Sequence, residues 1–202
     1  MKPLPAGYYL NPDVEFLARD LLGKIIMTNI DGDGVTGGII TETEAYKGET
    51  DRASHAFGGR RTARTETMFM QGGVAYVYLC YGVHHLFNVV TNQAGIPHAV
   101  LIRGIEPLYG REIMARRMRF DNHVAGVFNG PGKLTKALGI DRRHDKILLA
   151  GSTIWIEDIG IQIKPEELVS GPRIGVAYAG EHAMLELRFW LVKNASLRIR
   201  GY

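Results

Sequence analysis

The run from Lys24 to Tyr46, KIIMTNIDGDGVTGGIITETEAY, sets the expected fold. It holds two β-branched, apolar stretches, 24–30 and 35–46, joined by Asp31-Gly32-Asp33-Gly34. That junction favours a tight turn, so the two stretches are expected to pair as a hairpin. Period-two geometry sends Ile40, Glu42, Glu44 and Tyr46 to one face of the second strand and Thr41, Thr43 and Ala45 to the other. Gly32, Gly34 and Gly37 also match the spacing of a dinucleotide-binding turn. Such a turn must open a helix whose N-terminus receives the pyrophosphate, and the alternating residues 39–46 exclude that.

Upstream, Asn11-Pro12-Asp13 reads as a helix start with Asn11 as N-cap and Pro12 in the first position. Val14, Leu17, Ala18 and Leu21 then form one apolar stripe, and Gly23 closes the helix. Downstream, the pattern dissolves into Gly, Thr, Arg and Ser from Lys47 to Gly73, with Phe57, Met68, Phe69 and Met70 as apolar anchors. Long irregular segments inside a compact domain are commonly functional, although a disordered surface loop has the same composition. Residues 74–81 return to strand character, with Tyr76, Tyr78 and Cys80 on one face. Gly82 permits a tight reversal into residues 85–90 and leaves Tyr81 near the tip of a hairpin. A strand is expected over 98–105, then a helix introduced by Glu106-Pro107 and carrying Ile113, Met114 and Met118. Gly130-Pro131-Gly132 opens a short helix through Leu138, which Gly139 ends. Residues 147–192 alternate short apolar runs with Gly and Pro, as further strands would.

No repeat or interdomain linker is evident, and 202 residues with 46 % hydrophobic and 22 % charged content suit one domain spanning 1–202. A net charge of +3 permits a polyanionic partner without requiring one. Arginines gather at Arg60, Arg61 and Arg64, at Arg103 to Arg119, and at Arg142 and Arg143, where solvated surface charge is the plain alternative. Cys80 is the only cysteine, so no intrachain disulfide forms, and it reads as a buried small hydrophobe. With no signal-like start and no apolar run long enough to cross a bilayer, the expected location is cytoplasmic, with no membrane partner.

The chemistry-bearing residues concentrate between Thr41 and Asn88. Metal binding is not expected, because the histidines have no ligand spacing and the adjacent His84 and His85 face opposite ways on a strand. Glu42 and Glu44 share a face, which either perturbs one carboxylate or leaves two solvated residues on an edge strand. Tyr46, Tyr76, Tyr78 and Tyr81, near Glu44 and His55, are either amphipathic core residues or an aromatic slot for a flat ligand such as a nucleobase.

These blocks resemble the alkyladenine (3-methyladenine) DNA glycosylase family. The resemblance rests on Glu42-Thr-Glu-Ala-Tyr46, on His55 with Gly58-Gly-Arg60, on Met68-Phe-Met70, and on Tyr76-Val-Tyr78 with Tyr81-Gly82 and Asn88. It continues through Leu101-Ile-Arg103, Glu106-Pro-Leu108, Gly130-Pro-Gly-Lys-Leu134 and Arg173-Ile-Gly175, so it covers nearly the whole chain. It implies a mixed α/β domain on a curved, largely antiparallel sheet, with flanking helices and a protruding β-hairpin. It further implies a monofunctional DNA glycosylase that flips damaged purines out of double-stranded DNA, acts as a monomer and needs no cofactor or metal.

On this resemblance Glu44 is the general base for water, Arg103 helps position that water, and a backbone carbonyl around Ile174 is a further ligand to it. Tyr46, His55 and Tyr78 become walls for the extruded base, Asn88 crowds the exocyclic amine of normal guanine, and Tyr81 is the wedge that enters the vacated stack. Lys47, the amine nearest in sequence, points away from Glu44 by parity, in keeping with hydrolysis alone. The pattern departs from the family at Val83 and in a slightly longer connection between Asn88 and Arg103. A noncatalytic nucleic-acid-binding module and a hydrolase of free nucleosides or glycosides are the rival readings.

Overall fold

Alternation of β-branched residues across 35–46 does produce the expected strand, and the rest of the sheet is arranged on it. The computed structural model describes residues 2–119, 128–192 and 198–199. In chain order the strands are β1 (Ile25–Asn29), β2 (Val35–Tyr46), β3 (Ala75–Cys80), β4 (His84–Thr91), β5 (His98–Tyr109), β6 (Phe128–Asn129), β7 (Ile154–Glu157), β8 (Ile161–Gln162), β9 (Leu168–Gly171), β10 (Arg188–Leu191) and β11 (Arg198–Ile199). Three α-helices, α1 (Val14–Asp20), α2 (Arg111–Met118) and α3 (Pro131–Leu138), flank them. The main path runs β3-β4-β5-β2-β1-β7, and the described pairings are antiparallel. The fold is thus a mixed α/β arrangement on a curved antiparallel sheet.

The turn at 31–34 closes the β1–β2 hairpin, with Ile25 opposite Ile39 and Asn29 opposite Val35. Along its other edge β2 pairs with β5 from Gly37 to Tyr46, so it is a central strand. This corrects the edge-strand alternative for Glu42 and Glu44. Register shifts on either side of Glu42 mark a bulge, and there β2 exchanges its partner β1 for β10. A bulge inserts one unpaired residue and reverses the facing of the residues beyond it. Ile40 therefore packs in the main core with Ala45, contrary to the simple parity that put it with Glu44.

Asp13, rather than Asn11, caps α1, its Oδ1 accepting from the amides of Glu15 and Phe16 at 3.0 Å each. Asn11 instead accepts the Asp13 amide at 2.9 Å, which leaves Pro12 ahead of the cap. Val14, Leu17 and Ala18 are buried on β2, where the Thr43 hydroxyl donates to the Ala18 carbonyl at 2.7 Å. Each such aliphatic side chain contributes about 1.5–3 kcal/mol when fully buried. The expected break at Glu106-Pro107 does not occur. β5 continues to Tyr109, because Pro107 lies opposite Gly38 beside another register shift, the kind of site where a missing N–H is tolerated. A Cβ on Gly38 would stand 2.8 Å from the Glu106 carbonyl oxygen, so the close approach of the two strands requires glycine there. α2 begins only after Gly110, whose φ of +65° turns the chain out of the strand.

Segment 47–73 is ordered by three short 3-10 turns, with Asp51, Ala53, Ala56, Met68 and Phe69 buried. Phe57, expected as an anchor, is instead 45 % exposed. Cys80 is half-buried rather than buried. β3 and β4 form the expected hairpin, with Tyr81 at its tip 90 % exposed at a φ of +50°.

Candidate active site

Beyond the bulge, Glu42, Glu44 and Tyr46 emerge on the face away from α1. Glu44 is completely buried, and its carboxylate is held from three directions. Oε2 accepts from the Tyr46 hydroxyl at 2.7 Å, Oε1 accepts from the Ile174 amide at 2.8 Å, and Arg103 Nε stands 3.3 Å from Oε1. The N–H of Ile174 thus meets Glu44 directly, while the carbonyl expected around Ile174 concerns the water. Arg103 also donates to Glu42 Oε1 at 3.0 Å, and Arg188 reaches the same oxygen at 3.2 Å. Burial pushes the Glu44 carboxyl above the usual range, and the Arg103 charge, the Ile174 amide and the Tyr46 hydroxyl offset only part of that. Such a carboxylate, shielded from bulk water yet held by donors, has the environment of a proton acceptor.

The walls above it are aromatic. His55 Nδ1 bonds the Tyr76 hydroxyl at 2.9 Å, and its ring stands edge-on to Tyr78 with centroids 4.7 Å apart. Burial, then the charges of Arg64 and Arg60, push the His55 pKa down to about 4, so the imidazole is neutral at neutral pH. Tyr46, His55 and Tyr78 line both a cleft of about 640 Å³ and a narrow inner pocket of about 40 Å³. Asn88 lines the inner pocket alone, buried on β4 opposite Tyr76 and donating to its carbonyl at 3.1 Å. Arg103, Ile174 and Tyr81 line the larger cleft. The other expected site residues line one cavity system, and Glu44, which lines neither cavity, is bonded to Tyr46, Ile174 and Arg103 in its wall. Lys47 turns away and pairs with Glu15.

Three further contributors carried no expected role, although Arg173 belongs to the Arg173-Ile-Gly175 block. Arg173 and Asp51 form a buried ion pair, with Arg173 Nη2 donating to Asp51 Oδ1 at 2.8 Å and Nη1 to the Ala45 carbonyl at 2.9 Å. The same guanidinium lies 4.8 Å from the centre of the Tyr46 ring, so it braces Tyr46 and the adjoining Ile174 together. Although burial would raise the Asp51 carboxyl, the Arg173 bonds and charge hold it below the ordinary range. Tyr178, 69 % exposed, donates to the Ala53 carbonyl at 2.9 Å and closes the rim of both cavities. The partners of all three lie more than a hundred residues away.

Among the described residues, no group of three His, Cys, Asp or Glu is placed to hold a metal ion. No described helix is long and apolar enough to cross a membrane.

Residues 8–195 match the family model described as methylpurine-DNA glycosylase. Similar proteins bear the provisional name 3-methyladenine DNA glycosylase. One from Chlamydia felis is 44 % identical over 197 residues, covering 97 % of this chain and 100 % of its own. One from Desulfitobacterium hafniense is 41 % identical over 207 residues, covering 99 % and 100 %, and one from Bacillus licheniformis is 43 % identical over 193 residues, covering 96 % and 95 %.

Proposed function

The chain belongs to the methylpurine-DNA glycosylase family, a family of hydrolases acting on N-glycosyl bonds, and from that premise we propose that 1–202 form one monofunctional catalytic domain that excises damaged purines from double-stranded DNA. The observation that carries this reading is the buried Glu44 carboxylate, gripped by Tyr46, Ile174 and Arg103 directly beneath an aromatic slot.

Tyr81 enters the duplex from the hairpin tip and fills the stack that the damaged nucleotide leaves. The extruded base is held by Tyr46, His55 and Tyr78. A purine alkylated at N3 or N7 carries positive charge, and its attraction to electron-rich rings is worth roughly 0.5–2 kcal/mol per contact. The neutral His55 adds an edge without opposing that charge. Asn88, fixed by its bond to the Tyr76 carbonyl, narrows the inner pocket and crowds the exocyclic amine of guanine.

Glu44 then takes a proton from water as the water oxygen bonds to C1′. The bond from C1′ to the purine nitrogen breaks, and its electron pair leaves with the base. Arg103 and the Ile174 backbone fix the carboxylate and hence the water. Lys47 is occupied by Glu15, and although Lys133 lines the outer cleft, the proposed nucleophile is the water at Glu44, so the product is an intact strand with an abasic site.

Glu44→Gln tests the assignment on a duplex with one alkylated purine. Base release should fall by at least a factor of about 100, the scale of general-base catalysis, while lesion binding persists. Strand breaks should appear only after alkali. If the wild type binds the lesion yet releases no base, the protein is a binding module and the catalytic reading fails.

A further inference from the structure

A second chamber of about 570 Å³ adjoins the slot and shares His55, Arg64 and Tyr178 with it. Its lining also includes Arg52 and Arg60, the hydroxyl residues Ser54, Thr62 and Thr65, and no carboxylate. Elsewhere Arg61 faces Glu66, Arg117 faces Asp33, and Arg143 faces Asp31 and Asp141. Among the described residues, no carboxylate comes within ion-pair distance of Arg52, Arg60 or Arg64. Arg64 is held instead by rings, its guanidinium 4.9 Å from the centre of Tyr78 and its Nη2 3.4 Å from His55 Nε2. Three uncompensated cations around one concavity form an anion site whose anion comes from outside the protein.

We propose that this chamber seats a phosphodiester of the strand that carries the flipped nucleotide, and so fixes the side on which that strand leaves the slot. The inference rests on the glycosylase reading. The groove lined by Asp31, Asp33, Asp141, Arg117, Lys136 and Arg143, which shares His84 and Gly132 with the cleft, balances its cations with carboxylates. Its arginines are already matched by its own carboxylates, and a phosphate entering there would displace an internal partner. The arginine chamber has no such competitor, and fork-like guanidinium donors suit phosphate oxygens.

Arg52 and Arg60 are exposed, and Arg60 acts on the slot only through its charge at His55, so they are the positions to change. The experiment measures the affinity of the whole protein for a duplex containing one tetrahydrofuran abasic analogue, between about 50 and 200 mM sodium chloride. Each lost phosphate contact lowers the log–log salt slope by about 0.9. Arg52→Gln with Arg60→Gln should reduce the slope by up to one such step, whereas Arg143→Gln should leave it unchanged. Equal slopes for the wild type and the double variant, or an effect of Arg143→Gln as large, would overturn the inference and leave the glycosylase reading intact. A wild type that binds no duplex overturns both. Replacing chloride by inorganic phosphate at equal ionic strength should weaken wild-type binding and leave the double variant unaffected, because the free anion competes with the strand for the same arginines. Equal weakening of the two proteins would overturn the inference.

Discussion

Asp51→Ala should remove much of the protein's stability and disorganise the site at once. The Asp51 and Arg173 side chains are 1 % and 0 % exposed, so the truncation leaves a guanidinium buried without its counter-charge. Arg173 keeps only the Ala45 carbonyl at 2.9 Å and the His182 carbonyl at 3.3 Å, while the Lys47 and Ala53 amides lose acceptors at 3.2 and 3.0 Å. Breaking one side of such a pair costs about 3–5 kcal/mol, against a total of about 5–15 kcal/mol for a typical domain. The loss should appear in urea unfolding as a lowered midpoint with an unchanged slope. Asp51→Leu with Arg173→Met should recover most of it, because the cost lies in the orphaned charge. The depressed carboxyl sets the sign with pH. The pair's contribution is complete above the ordinary value of 3.8 and is lost as pH falls through the lower folded value. A loss below about 1 kcal/mol for Asp51→Ala, at neutral pH, would refute the reasoning.

Arg103→Gln removes the largest influence holding Glu44 down, so the acid limb of kcat/KM should move to higher pH and the rate should fall. A slower enzyme with an unmoved acid limb would show that Arg103 acts otherwise. His55, pushed down to about 4 from 6.5, takes up its proton in the unfolded chain first. Stability should therefore decline as pH drops from about 6.5 to about 4, and His55→Gln should flatten that window of the unfolding curve. Tyr81→Gly replaces a 90 % exposed residue at a φ of +50°, so thermal unfolding should stay within about 0.5 kcal/mol or improve. Excision from duplex DNA should meanwhile drop roughly 5- to 160-fold, as stacking worth about 1–3 kcal/mol is lost.

Residues 35–46 were readable as a strand to the residue, because alternation and β-branching are local properties that tertiary packing here only reinforces. Glu44 and Tyr46 shared a face because both lie beyond the bulge. Ile40 was misplaced because the bulge is specified by how β5 and β10 meet β2, which no window along one strand contains. Glu106-Pro107 misled for a related reason: proline breaks a ladder only where its N–H is required, and the register beside Gly38 does not require it. The aromatic slot and the tip tyrosine were visible as a dense block of residues. The Asp51–Arg173 brace and the Tyr178 rim were not, since each is an encounter between distant segments whose own patterns are ordinary.

That distance also governs how the molecule comes into being. Glu44 is the register partner of Leu101 on one side and Arg188 on the other, and its carboxylate is covered by the amide of residue 174. Contacts so far apart in sequence form late, because each closes a long loop before it returns any stabilisation. A chain in which only the first hundred residues have condensed would own Glu44 and the Tyr46 hydroxyl but neither Arg103 nor the amide of residue 174 that complete the grip on the carboxylate. On the proposed role of Glu44, chemical competence is therefore a property of the finished topology, and a partially folded chain that meets DNA should release no base from it.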